Sequence, residues 1–282
     1  MRGLLRRENH PPRNDEENFV MNNLSAALFA EALKMYRSKV PLFTAIGLSI
    51  APLVGGLFMI ILKDPEAAKS MGLISAKAQL TAGTAEWATL FNLLGQATAV
   101  GGAIVFAIFT TWIFGREFSD HTAKDLLALP TSRESIVGAK FILTAAWTFF
   151  LTLLCYSLGL IVGKLVVIPG WSLDLLRSAS VDILGSGILT IMLLPFVAFI
   201  ASVGRGYMPP FGWMILTAAL AQIAAVMGWG DWFPWAVPAL FSGAAGPRAE
   251  FLGTHSYVLV FLASLVGLAA TFYWWRNADH AR

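Results

Sequence analysis

Six long apolar stretches set the rhythm of this chain. They run from Pro41 to Leu62, about Leu93 to Phe114, Phe141 to Gly163, about Val181 to Gly204, about Phe211 to Gly228 and about Tyr257 to Trp275. Each is near the roughly 20 residues that a helix needs to cross a bilayer. The pattern predicts an all-α, polytopic membrane protein with six transmembrane helices. Pro52 with Gly55-Gly56, Gly101-Gly102 and Pro195 mark places where spans can bend.

The stretches between these runs differ in kind. Residues 1–21 are charged, broken by Pro11-Pro12 and lack an apolar leader. They read as a disordered cytoplasmic tail, with the six-span unit following over 22–282; helical patterning begins just after Met21, an alternative start. Asn22 to Lys39 is amphipathic: Leu24, Leu28, Ala32 and Met35 share one face, while Glu31, Lys34, Arg37 and Lys39 fall mostly around the other side. Two readings stand: a helix lying in the membrane interface, or an extension of the first span into water.

The longest patterned polar island is GREFSDHTAKDLLALPTSRESIVGAK, Gly115 to Lys140, between the second and third spans. It reads as a short amphipathic helix with an apolar cluster at Leu126, Leu127 and Leu129, then a turn at Pro130. A second helix starts at Thr131 or Ser132, with Ser132 offering an N-cap. Such an island suits a water-exposed platform that receives a partner. On the other side, Lys63 to Asn92 is a long Ala-, Gly- and Thr-rich loop. Lys164 to Ser180 holds a turn at Pro169-Gly170 and a short amphipathic piece. Trp229 to Ser256 is too apolar for a free loop and too Pro-broken for another span. It predicts a re-entrant or interfacial pair of short helices, against the plainer reading of an aromatic belt.

Composition sharpens this. The 282 residues are 57% hydrophobic and only 13% charged, against about 25% charged in a soluble domain. The net charge of +3 gives no nucleic-acid surface; Lys and Arg are better explained by topology. They concentrate in the N-terminal region, the island, the Arg205 turn and the C-terminal tail, which places both termini and the island in the cytoplasm.

Candidate chemistry is sparse. No Gly-rich phosphate loop, HExxH or GxSxG occurs, so the chain is not expected to hydrolyse ATP or act as an enzyme. His10, His121, His255 and His280 are scattered, so no metal site is expected. Cys155, the single cysteine, lies in an apolar run and forms no intramolecular disulfide. Asp182 reads as a cap at a span end. Asn92, Gln96 and Gln222 are polar groups within spans that either tie helices together or face a substrate path. Gly159 and Gly163 form a GxxxG that permits close packing.

The island resembles the first cytoplasmic loop of type-2 ABC exporter permeases, in particular the bacitracin-resistance and lantibiotic-immunity group. That family ends a span in an acidic–aromatic pair, then has a Thr, a Leu pair, a Pro-x-Ser-Arg and a Lys that opens the next span. The matching residues are Glu117, Phe118, Thr122, Leu126, Leu127, Pro130, Ser132, Arg133 and Lys140. The segment with Glu31, Lys34 and Arg37 resembles the family's interfacial elbow helix. The resemblance implies a permease subunit that binds no cofactor itself. A separate ABC ATPase subunit, in two copies and carrying ATP and Mg, docks on the 115–140 coupling helix region. A second permease chain, identical or a sister, completes the pathway within membrane lipid. Leu126, Leu127 and Leu129 would fill a groove on the ATPase, with Asp120, Lys124, Asp125 and Arg133 at the rim. Glu117 and Arg133 either pair locally or touch the partner. The competing classes are a membrane-embedded enzyme, a stand-alone secondary transporter and a non-transporting sensor or assembly subunit.

Overall fold

A computed structural model describes residues 13–64, 72, 83–120, 122, 131–244 and 252–277. The described secondary structure is helical throughout. Helix α1 (Arg13–Arg37) precedes α2 (Val40–Lys63), the first span. The second span joins α3 (Trp87–Gln96) and α4 (Gly102–Ser119) through a π turn at Ala97–Gly101. The third is α5 (Arg133–Val166). The fourth is α6 (Leu173–Ile191) with α7 (Leu194–Val203), the fifth α8 (Met208–Val226) and the sixth α10 (Thr254–Asn277). Between α8 and α10 lie a 3₁₀ turn, Gly230–Trp232, and α9 (Val237–Phe241). The chain is therefore a multi-pass, six-span membrane protein.

Helix α1 begins at Arg13, ahead of the expected start at Asn22. The third-span helix begins at Arg133, because Ser132 caps it: Ser132 Oγ accepts from the Ser135 amide at 3.1 Å. The amphipathic piece expected before the fourth span is the first part of α6, which Ser172 caps through Leu175 N–H at 3.1 Å. Asp182 consequently lies inside α6 and not at its end. Its expected position at a span end is corrected because the helix extends back to Leu173.

Two spans are interrupted. Pro195 has no N–H to give Ile191, so the fourth span breaks at Met192 and Leu193. The second span absorbs an extra residue in its π turn, next to Gly101-Gly102. Pro52, in contrast, stays inside a continuous α2. These interrupted spans are also the central ones: 56% of the most apolar window is buried in each, against 11% in α8.

Close approaches use the expected small residues. A Cβ on Gly159 would lie 2.2 Å from Leu94 Cδ1, and one on Gly163 2.4 Å from the Trp87 ring. The GxxxG thus packs the third span against α3. Gly267 of α10 lies against the Pro195 backbone at the break. The described part of the Trp-rich segment folds into short helical turns, with Trp229 and Trp232 exposed and the α9 part buried. Ala236, Val237 and Pro238 are buried, and Val237 packs with Leu189, Leu193 and Val260.

Candidate functional site

The 115–140 platform can be described only at its two ends. Lys124, Leu126, Leu127, Leu129 and Pro130 lie outside the described residues. At the near end, Thr122 is exposed and its amide donates to Glu117 O at 2.9 Å. Asp120 is exposed after the last turn of α4. Burial, reinforced by the Asp120 charge, holds the Tyr207 hydroxyl above its ordinary pKa. Arg116 lies over the Trp112 ring at 5.1 Å.

The two ends of the platform are clamped together by buried charge. Lys140, one and a half to two turns into α5, is fully buried, and Glu117 and Glu31 are each 2% exposed. The Lys140 ammonium donates to Glu117 Oε1 at 2.8 Å, Glu31 Oε2 at 3.1 Å and the Ile113 carbonyl at 2.6 Å. All three of its protons are used. Lys34 adds the second cation, bonded to Glu31 Oε1 and, at 3.1 Å, to Glu117 Oε1. Two carboxylates thus face two ammonium groups, and the cluster is neutral. Charges removed from water are tolerated on these terms, paired and hydrogen-bonded. Burial works to lower the Lys34 pKa, but the Glu117 and Glu31 carboxylates outweigh it and the pKa is raised. Glu117 Oε2 is buried without a partner among the described residues.

This corrects two expectations. Glu117 does not pair with Arg133. The Arg133 guanidinium instead donates to the Trp275 and Arg276 carbonyls at 3.3 and 3.4 Å. It thereby ties the start of the third span to carbonyls in the last turn of the sixth. Glu31 does not sit on a solvated face. The packed stripe of α1 carries Ala27, Glu31 and half-buried Lys34, whereas Phe29 and Tyr36 are exposed at 73% and 88%. Arg37 is exposed. Helix α1 is thus attached to the second and third spans by its charged residues.

Sequence reasoning matched Lys140 only as the residue opening a span and did not place it in the cluster. The available signal was a Lys inside a helix cap-to-span register, with a Glu at the end of the preceding span. Trp275 adds a further tie, its indole donating to Ser202 Oγ at 2.9 Å. The span polar groups scatter. Asn92 is exposed on α3, Gln96 is half-buried at its last turn, and Gln222 is exposed on α8. No group of three or more potential metal ligands occurs among the described residues.

His255 Nε2 lies 3.0 Å from Asp231 Oδ2 and 3.4 Å from Ser256 Oγ. Both partners address the same ring nitrogen, so this is not a nucleophile–base–acid relay, which needs them on opposite nitrogens.

The ABC-2 family transporter protein model matches residues 27–221. The bacitracin transport permease protein of Bacillus licheniformis is 27% identical over 179 residues, which cover 63% of this chain and 85% of that protein. No solved structure matches. The family match begins within α1 and runs through the first four spans, with the charge cluster, into the fifth. The chain belongs to the ABC-2 transporter family, as a membrane permease component of an ABC transporter, and this membership implies an ABC ATPase as partner.

Proposed function

We propose that this chain is the membrane-spanning subunit of an ATP-driven exporter in the cytoplasmic membrane, with both termini on the cytoplasmic side. A separate ATPase subunit docks on the 115–140 loop and carries ATP and Mg. Two permease chains and two ATPases form the working assembly. The cargo is an amphipathic peptide antibiotic, a reading supported by the relative that transports bacitracin.

One observation carries this reading. The loop's flanks, Glu117 and Lys140, are bonded directly at 2.8 Å and both are bonded to α1. A force applied to such a loop moves the second span, the third span and α1 together. A loop with loose flanks would absorb it.

The test is co-expression of the tagged chain with an ABC ATPase, purification in detergent, and measurement of ATPase capture, nucleotide hydrolysis and cargo movement. Wild type is expected to capture the ATPase and hydrolyse ATP. Leu126→Asp/Leu127→Asp is expected to abolish capture while the chain still elutes as a folded species. Capture that survives this double change sinks the docking reading. Capture and hydrolysis without movement of bacitracin-like cargo would instead mark a non-transporting sensor or assembly subunit.

A further inference from the structure

A cavity of about 170 Å³ lies beside the π turn of the second span, the break in the fourth span, α8 and α9. Its walls are mostly apolar and include the alanines Ala99, Ala103, Ala218, Ala221 and Ala239, with Thr190, Thr217 and Gln222 as the polar residues. Apolar walls of this kind suit an apolar occupant better than water, which needs two to four polar partners. The two interrupted backbones meet at this space. Irregular backbone at membrane depth is tolerated where it lines a cavity or is buried in protein.

The cavity opens sideways, towards the face of the bundle. Val100 and Ile104 on its lining are 49% and 47% exposed, and Gln222 beside them is also exposed. These residues belong to membrane spans, so the mouth lies at membrane depth. Inside, Trp213 is held in an aromatic frame. It stacks on Phe196 at 5.9 Å and 12°, and meets Trp235 edge-on at 5.5 Å and 81°. Its indole Nε1 is buried with no hydrogen-bond partner among the described residues. A buried donor without an acceptor is costly. Trp213 therefore favours an occupant that brings an acceptor oxygen as well as apolar bulk.

We propose that this cavity is a binding site for one acyl chain of a membrane lipid, which enters from the bilayer between α4 and α8 and brings an acceptor oxygen to the Trp213 indole. The site belongs to a single chain and does not depend on the ATPase reading.

The test uses the purified full chain in lipid nanodiscs with a phosphatidylcholine that carries a diazirine along one acyl chain, and peptide mapping after photolysis. Peptides holding Ala99–Ile104 and Ala218–Gln222 are expected to label saturably. Ala103→Trp fills the space and is expected to lower labelling there at least fivefold. Labelling of the exposed face of α2, at Ile46 and Leu53, stays unchanged and reports that the chain is folded. Ala221→Phe fills the same space from the opposite wall and should act alike. Trp213→Phe keeps the ring stack and removes the N–H, so half-saturation should need several-fold more probe. Labelling that rises without saturation, or that both filling variants leave unchanged, overturns the site. So does cross-linking of the mouth to a second copy of the chain in place of lipid. An unchanged half-saturation in Trp213→Phe overturns the donor's role.

Discussion

At the flanks of the 115–140 loop, three charged side chains leave water beside half-buried Lys34, and the Lys140 ammonium uses every proton it has. Around the cavity between the second, fourth and fifth spans, mostly apolar residues leave space and an indole N–H has no partner among the described residues. The first region is built from short-range, directional bonds with one good geometry. The second is built from non-directional contacts and two interrupted helices. Disturbing the first should cost stability steeply, because a lone buried charge has nowhere to go. Changing the second should move ligand occupancy more than folding.

The largest effect follows from taking one cation out of the cluster. Lys140→Met leaves two carboxylates sharing Lys34, and losing one partner of a buried pair costs about 3–5 kcal/mol. Thermal unfolding of the purified chain, followed by loss of monodisperse elution, would read this. Glu117→Leu/Lys140→Leu removes one charge of each sign and leaves Glu31 with Lys34. It should cost less than Lys140→Met alone, a non-additivity expected only where the residues act as one network. A double variant that is as unstable as the sum of its singles would dissolve the contrast.

Overpacking comes next. Gly159→Leu drives a side chain into Leu94, already 2.2 Å from where a Cβ would sit, and should destabilise by about 1–3 kcal/mol in the same assay. A matching change beside the cavity, Ala103→Leu, should cost less because space is available. Equal costs would argue that the cavity is already occupied or closed. Ser132→Ala removes the cap of α5 and should cost about 1 kcal/mol.

The smallest effect concerns pH. The Lys34 pKa is raised, so its contribution is complete below the ordinary Lys value of about 10.4 and is lost as pH rises through the higher folded value. The stability difference between wild type and Lys34→Met should therefore be flat from about pH 6 to 9 and shrink only at strongly alkaline pH. A difference that fades near neutrality would mean that Lys34 is not held by Glu117 and Glu31.

The spans were legible because each apolar run is long enough to cross a bilayer and is bounded by polar residues. The start of α5 was legible because Ser132 precedes a helix-compatible run and can cap it locally. The partners of Glu117 were not. Arg133 is sixteen positions away and Lys140 twenty-three, and spacing alone does not say which of two cations a carboxylate meets. Glu31 was read onto a solvated face because a charged residue in an amphipathic helix normally faces water. The structure buries it because Lys140 and Lys34 supply the compensating charge.

Sequence alone determined the six spans, their helical class, the α5 cap and the small-residue packing at Gly159 and Gly163. Each follows from composition within one continuous stretch of chain, from a single turn for the cap to about 20 residues for a span. Only the tertiary structure decided that Glu31, Lys34, Glu117 and Lys140 are one neutral cluster. It alone decided that Arg133 holds the end of α10, and that a π turn and a proline break enclose the same empty space. Coulombic and steric partners of this kind come from separate helices, and which charges can be buried depends on what the packing brings beside them.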